Sequence, residues 1–323
     1  MKTYLGMDFG GTKLLIGEMD ENGNILNSKK YATGAATQEQ AIKILLDAAK
    51  DYRDTVGFTG EIQAAGVGIV GVVDHDRGEW ISINHIVTGP PVPLAAILSE
   101  ELSVPVAIDN DVRSATTAEW KLGRGKSSRN FIYLNVGTGL AAGFVVNGMI
   151  LRGANNNSGE VGHMVVDIQN PYECICGRLG CAENMVSGSG FAKQARFYDL
   201  QEVLLEDRPN SADTPKLFEL ADAGEERAVA ITEYAADTLA AVIMNLVRVS
   251  DPDTVILGGG VVTGGWMLQK IRSRLNASTM RGVKNGVVLS EFAPQYAGLI
   301  GAASLGIVLM EENKKGGRDE ETI

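Results

Sequence analysis

Three thiols and one imidazole stand close enough along this chain to hold a single metal ion. All the cysteines fall within Cys174-Ile175-Cys176-Gly177-Arg178-Leu179-Gly180-Cys181, and His163 lies shortly upstream. Three thiolates and an imidazole complete a tetrahedral donor set for Zn²⁺. A disulfide framework would leave one cysteine over, and Cys174 and Cys176 are too close in sequence to bridge easily. Four protein ligands leave no open coordination position, so the expected zinc is structural. The flanks Gly159-Glu160-Val161-Gly162-His163 and Cys181-Ala182-Glu183 set carboxylates beside the ligands. The metal loop is therefore expected to shape a site as well as to staple a loop.

A second chemistry lies in three glycine-rich turns, each at the end of an apolar run: Asp8-Phe9-Gly10-Gly11-Thr12-Lys13, Gly137-Thr138-Gly139 and Gly258-Gly259-Gly260. Without side chains, backbone N–H groups can approach an anion closely, and Thr12 and Thr138 add hydroxyl donors. Asp8 could hold Mg²⁺ directly or through water, as ATP chemistry requires. Any one such turn is more often only a turn, but three together point to nucleotide phosphates. Gly66-Val67-Gly68-Ile69-Val70-Gly71 matches the dinucleotide-binding fingerprint G-x-G-x-x-G. That fingerprint must open a helix, and here Val72-Val73-Asp74 reads as further strand, which argues against NAD. Walker A spacing is absent.

The elements that would carry these residues follow from apolar periodicity. Strands are expected over 3–9, 14–19 and about 24–27, the last two joined by a turn at Asn22-Gly23. Thr37-Gln38-Glu39-Gln40 has capping-box spacing, and Ile42, Leu45, Leu46 and Ala49 then form a helical stripe. Residues 62–73 and 105–108 read as buried strands, the second running into Asp109-Asn110-Asp111 and a helix over 114–122. Strands at 131–136 and 143–146, a long helix over 225–249 and a strand at 254–257 repeat this grammar. A strand–turn–strand unit opening each half implies duplicated architecture and two α/β domains with a cleft between them.

With 323 residues the chain can build two substantial cores. Its net charge of −11 argues against a nucleic-acid partner, which needs clustered Lys and Arg. Asp8 interrupts the first apolar run too early for a signal peptide, and no stretch reads as long and apolar enough to cross a membrane. Grouped thiols suit a reducing, cytoplasmic setting. The charged segment 311–321 reads as a solvated, frayed tail.

Taken together these motifs resemble the ROK family (repressors, open reading frames and sugar kinases) of the actin/hexokinase-like ATPase fold. Asp8 to Lys13 is similar to the family's first phosphate motif, Asn135 to Leu140 to its second, and Ile256 to Val261 to its adenosine-side motif. Asp109-Asn110-Asp111 resembles the catalytic x-N-D motif. Gly159 to His163, followed by Cys174 to Glu183, matches E-x-G-H…C-x-C-G-x-x-G-C-x-E position by position. The resemblance covers residues 3 to about 310.

The resemblance implies an ATP-dependent hexose kinase with a structural zinc and Mg²⁺-ATP, acting on the 6-hydroxyl of glucose or a glucose-like aldohexose. Fructose, mannose or an N-acetylhexosamine is an alternative acceptor, since one pocket contact can decide among them. It makes Asp111 the general base and Asn84, Asn110, Asp111, Glu160, His163 and Glu183 the sugar ligands. Asp8, Gly10, Gly11, Thr12, Lys13, the 137–139 turn and the 258–260 turn would hold the nucleotide. His163, Cys174, Cys176 and Cys181 would hold zinc, with the second imidazole nitrogen left for sugar. The implied fold is a pair of actin/hexokinase-like (ribonuclease H-like) domains flanking a catalytic cleft. The smaller would comprise 1–117 plus about 298–323, and the larger 118–297.

A homo-dimer or tetramer is also implied. A sugar-sensing regulator of the same family is the rival from another class. Its DNA-binding form carries an N-terminal helix-turn-helix, whereas here the first strand begins near Thr3. On its own, an Asp between a strand and a helix, such as Asp111, is commonly an N-cap. Departures from the family pattern are Val70, the Asn84-His85-Ile86-Val87 stretch, Arg113 and Ala141. His75 and His85 receive no role.

Overall fold

The computed structural model describes residues 1–11, 13–34, 37–83, 89–208 and 210–320, with only the backbone of 315–320. In chain order the first elements are β1 (Lys2–Phe9), β2 (Lys13–Asp20), β3 (Ile25–Ala32), α1 (Gln38–Thr55), β4 (Glu61–Ile69) and β5 (Val72–Asp74). Next come β6 (Glu79–Ser82), α2 (Leu94–Leu102), β7 (Val106–Asn110) and α3 (Asp111–Lys121). The second half opens with β8 (Phe131–Val136), β9 (Leu140–Val146) and β10 (Met149–Ile150), followed by α4 (Glu183–Val186) and α5 (Gly188–Phe197). It continues with α6 (Thr214–Asp222), α7 (Glu226–Ser250), β11 (Thr254–Gly258), α8 (Trp266–Arg272), α9 (Ala277–Met280), β12 (Val287–Leu289) and α10 (Ala297–Glu320).

The chain divides into two compact units of near-equal length. Met1–Lys126, Arg152–Asn157 and Gln295–Ile323 form the first; Ser127–Leu151 and Ser158–Pro294 form the second. The boundary expected at 117/118 falls inside α3, a continuous helix that belongs whole to the first unit. The strip 152–157 also joins the first unit although its neighbours in sequence lie in the second.

Each unit is built on a five-stranded mixed sheet of the same pattern. In the first the order is β3-β2-β1-β4-β7, with β1, β4 and β7 parallel and β2 and β3 antiparallel additions. In the second it is β10-β9-β8-β11-β12, with β8, β11 and β12 parallel. Parallel pairing needs a crossover, and helices supply it. The first core gathers Leu5, Met7, Leu14 and Ile16 with Leu45, Tyr52 and Trp80. The second packs Leu134, Phe144, Phe191, Leu239 and Leu257.

Register makes the first sheet a positioning device. Asp8 pairs with Gly68 and Gly68 with Asp109, while Phe9 pairs with Ile69 and Ile69 with Asn110. Three parallel strands therefore end at one level, and Asp8 and the Asp109-Asn110-Asp111 turn come to the same edge. The G-x-G-x-x-G run begins in β4, ends in the break after it and is followed by β5, a strand of the separate β5–β6 ribbon, rather than by a helix. Its Gly66 has a packing role: a Cβ there would come within 1.9 Å of the Ala302 carbonyl of α10. The missing side chain lets that helix lie close on the sheet.

Several local expectations are corrected. The buried face of α1 is Ala41, Leu45, Ala48, Ala49 and Tyr52, with Ile42 and Leu46 at its margin. Residues 62–73 break after Ile69 into two strands of different sheets. The segment read as a frayed tail continues α10 in helical form through Glu320, and Glu311 accepts from Lys121 Nζ at 2.6 Å. Among the described residues one helix, α7, is long and apolar enough by length and composition to cross a bilayer, contrary to expectation. Its Ile231, Ala235, Leu239, Val242 and Leu246 are buried in the second core, which accounts for that apolarity.

The start of the first sheet is locked by Glu18, a fully buried carboxylate. It accepts from Thr59 N at 2.6 Å, Gly60 N at 2.7 Å and Asn27 Nδ2 at 3.1 Å. Burial raises its pKa, but these hydrogen bonds together outweigh burial and hold the group below its ordinary 4.5. A lowered carboxyl pKa stabilises the fold above the unfolded value, and that stabilisation fades as pH falls through the folded one. Glu18→Gln should therefore lower the unfolding free energy by about 2 kcal/mol at neutral pH. Urea titrations at pH 7 and pH 4 should show the gap to wild type narrowing on acidification; a gap independent of pH would contradict the assignment.

Candidate active site

In the first unit, the reactive residues cluster where β1 and β7 end. The turn after β1 is closed by Gly10 N donating to Lys13 O at 2.9 Å, with Gly11 exposed and Thr12 outside the described residues. Asp8 lies in the last residues of β1. Burial, then the Asp111 carboxylate, push its pKa up to about 6, against the pull of Lys13. Asp8 and Asp111 are thus near enough to repel, and a cation between them and a phosphate would be favoured.

The β7–α3 junction shows how Asp111, the expected base, is held. Asn110 is the N-cap of α3: its Oδ1 accepts from Arg113 N at 2.9 Å. The capping role considered for Asp111 therefore belongs to its neighbour, and Asp111 occupies the first helical position. Asp111 Oδ1 accepts from Val112 N at 3.0 Å and from Asn110 Nδ2 at 3.2 Å. An Asp in the first turn also gains from the helix dipole.

Four residues for which no functional role was expected surround this junction. Asp109 is fully buried and paired with Arg113 at 2.6 Å and Arg152 at 3.0 Å. His75 Nδ1 lies 2.8 Å from Ile108 O and 3.6 Å from Asp109 Oδ2. The i, i+4 spacing of Asp109 and Arg113 was a legible signal. The Arg152 contact, 43 residues away, had none.

In the second unit, the parallel pair β8–β11 brings two glycine turns together, since Asn135 pairs with Gly258. Gly137 N donates to Gly139 O at 3.0 Å, and Val261 N donates to Val136 O at 3.0 Å. The first residues of α5 hold the second turn from behind: Gly188 N donates to Gly137 O at 2.8 Å and Ser189 N to Thr138 O at 3.1 Å. Glu183 Oε2 accepts from Leu140 N at 3.0 Å, which ties this expected sugar ligand to the same turn. The Glu160–His163 segment is a tight 3₁₀ turn against it. A Cβ on Gly162 would meet Leu140 O at 2.3 Å and Glu183 Cβ at 3.2 Å, so only glycine permits this approach.

The metal-ligand set is assembled in the same unit. The ligand atoms of His163, Cys174, Cys176 and Cys181 all lie within 4.8 Å of one another, and all three thiols are free. A tetrahedral zinc would need sulfur–sulfur spacings of about 3.8 Å, so only small adjustments are required. His163 Nδ1 faces Cys174 Sγ at 3.3 Å, leaving Nε2 toward Glu160 Oε2 at 3.9 Å. The loop is shaped by two isolated bridges, Val165 with Cys181 and Glu173 with Leu179. The Arg178 guanidinium donates to the His163 carbonyl. The backbone N–H and guanidinium of Arg178 hold the exposed Cys176 thiol down at about 6, whereas burial pushes Cys181 up to about 12. Such a buried thiol is deprotonated when a cation binds it.

Of the expected site residues, the structure groups Asp8, Gly10, Gly11, Lys13, Asn110 and Asp111 in the first unit. It groups Glu160, His163, Glu183, the three cysteines and the two other glycine turns in the second. Asn84, with His85 and Val87, lies outside the described residues.

The sequence model of the ROK family matches residues 4–308. A glucokinase from Halalkalibacterium halodurans is 30% identical, the match covering 98% of each chain. An N-acetyl-D-glucosamine kinase from Yersinia pseudotuberculosis is 31% identical over 86% of this chain and 90% of that one. Among solved structures, a ROK family glucokinase from Streptomyces griseus, in complex with glucose and AMPPNP, superposes with a TM-score of 0.73. It is 27% identical, covering 94% of this chain and 99% of that chain. Both the fold and the order of motifs along the chain are accounted for by one conclusion: this protein belongs to the ROK family.

Proposed function

We propose that the protein is an ATP-dependent hexose kinase that phosphorylates the 6-hydroxyl of glucose or a closely related aldohexose. The observation that carries the reading is the Asn110–Asp111 turn at the edge shared with Asp8. It presents a carboxylate fixed by its own helix start, with the Asp8 carboxylate close enough to feel its charge. Phosphoryl transfer demands a positioned proton acceptor more than a strong base. In this reading Asp111 takes the proton of the attacking hydroxyl. Asn110, Glu160, His163 and Glu183, with Asn84, bind the remaining hydroxyls, whose paired donors and acceptors suit carboxylates and imidazole.

Asp8 holds the Mg²⁺ that accompanies ATP, directly or through water. Gly10, Gly11, Thr12 and Lys13, with the 137–139 and 258–260 turns, take the phosphates and adenosine. Zinc, held by His163, Cys174, Cys176 and Cys181, fixes the Nδ1 side of the imidazole, so Nε2 and Glu160 face the sugar. We assign the protein to a reducing, cytoplasmic setting, from its free thiols, and to a homo-oligomer, as its family implies. The two relatives named above act on glucose and on N-acetyl-D-glucosamine, which supports a glucose-configured acceptor and leaves the 2-substituent open. ADP release coupled to a panel of hexoses and N-acetylhexosamines tests the reading; no sugar-dependent release from metal-replete protein would transfer the assignment to a sugar-sensing regulator.

Three substitutions separate the roles. Asp111→Asn should lower kcat by about 10²–10⁴-fold while leaving sugar affinity within a few-fold; substantial retained turnover would refute the base. Cys176→Ser should lose zinc, measured by metal analysis, and weaken hexose binding by about tenfold or more. Full sugar affinity in the metal-free variant would break the link between zinc loop and pocket.

For Asp8 the sign is opposite to that of a stabilising acid. Its pKa rises from 3.8 to about 6, so the native state binds the proton more tightly than the unfolded chain. Stability falls as pH rises across that window, and the cost is complete above it. Asp8→Asn should therefore raise Tm by a few degrees at pH 7 while abolishing sugar-dependent ADP release. The wild-type kcat/KM should fall on the acid side near pH 6. An unchanged or lower Tm would contradict the burial cost.

A further inference from the structure

We infer that Asp109, Arg113 and Arg152 form a positioning clamp that ties the strip 152–157 to the Asn110–Asp111 turn and holds that turn in its working geometry. The kinetic part of this inference rests on the kinase reading above. The carboxylate of Asp109 is fully buried, and an isolated charge there would be prohibitive. It is satisfied on every side. Oδ1 accepts from Arg113 Nε at 2.6 Å and Asn110 N at 2.8 Å. Oδ2 accepts from Arg152 Nη2 at 3.0 Å and Nε at 3.2 Å, the bidentate fork a guanidinium makes and an ammonium cannot. His75 Nδ1 stands 3.6 Å from the same oxygen, and its 2.8 Å contact with the Ile108 carbonyl fixes the proton on Nδ1.

Three separate stretches of chain converge on this one side chain: the end of β5, the β7–α3 junction and the strip 152–157. Arg113 closes the ring, donating through Nη1 to Asn156 O at 3.2 Å. Its Nη2 is buried without a hydrogen-bond partner among the described residues. Arg113 therefore stays in place through Asp109 and Asn156 rather than through full local satisfaction. A buried ion pair is weak evidence for stability, because apolar residues of similar volume often serve as well. What it supplies here is geometry, because the backbone N–H of Asn110, the cap on which Asp111 depends, is itself bonded to the clamped carboxylate. Asp109 and Asp111 are two residues apart, so a shift of Asp109 is passed directly to the base. Misplacement of a reacting group by about an ångström can cost on the order of 10²-fold in rate.

Arg152 is the member to test, since its side chain is 23% exposed and its removal leaves Asp109 paired with Arg113. Arg152→Met keeps length and removes the charge; Arg152→Lys keeps the charge and loses the fork. Amide hydrogen exchange at Val112 and Arg113 should accelerate about tenfold or more in R152M, with a smaller change in R152K and none in β11. Steady-state assays with glucose, N-acetylglucosamine and ATP should show kcat falling and sugar KM rising, each about tenfold, with the KM for ATP within twofold. R152K should recover part of both effects. Wild-type exchange at 112–113 in R152M would overturn the clamp, as would equal acceleration in β11, which would mark a merely structural pair. If R152M does not fold, the same exchange comparison on R152K decides. If wild-type protein releases no ADP with any sugar, the kinase reading fails, and the exchange measurement still judges the clamp.

Discussion

The hydrogen-bond register of β1, β4 and β7 is the constraint on which the first unit depends. Parallel strands in register end at one level, so whatever follows each strand is delivered to a common edge. Here that delivers Asp8, and then the Asp109–Asp111 turn, to one place. The cost is electrostatic, because carboxylates gathered at a half-buried edge repel each other and lose solvation. Asp8 registers that cost in its raised pKa. In the proposed reading such an edge would find its use in nucleotide chemistry, since a magnesium–phosphate group needs anionic oxygen partners.

The second unit applies the same strand order to a different end. Its parallel strands deliver glycine turns rather than acids, so the edge presents backbone amides. The carboxylates and imidazole arrive separately, on the 160–163 turn and at the start of α4. These segments are short and have little apolar surface of their own. Their geometry comes from close backbone approach at Gly162 and from the donor set of three thiols and His163. A metal held there would substitute for the core that a loop of this size cannot build.

What the sequence disclosed follows the range of the interactions. The β-α grammar, the glycine turns and the cysteine cluster were legible because each is local: a strand end, a turn or a few residues of ligand spacing. The break of β4 into β5 was missed because Val70 and Gly71 sit inside an apolar run that periodicity cannot divide. Membership of 152–157 in the first unit was missed because it rests on Arg152 reaching Asp109, and nothing near Arg152 announces its partner. The cap of α3 was sought at Asp111 rather than Asn110, since both residue types cap well and only backbone geometry separates them. Arg113 stood out only as a departure from the family pattern, and its burial against Asp109 gives that departure a physical reason.

The three acids at the end of β7 and β1 end with different fates, and the arginines decide which. Asp109 meets two guanidiniums at hydrogen-bond distance, so its charge is consumed within the protein. Asp8 feels the Asp111 carboxylate as a like charge and Lys13 as the opposing one. Had Asp109 remained unpaired, its charge would have added to the repulsion that Asp8 already feels. By neutralising the acid that supports the turn, the arginines keep that repulsion out of the turn that carries the proposed base.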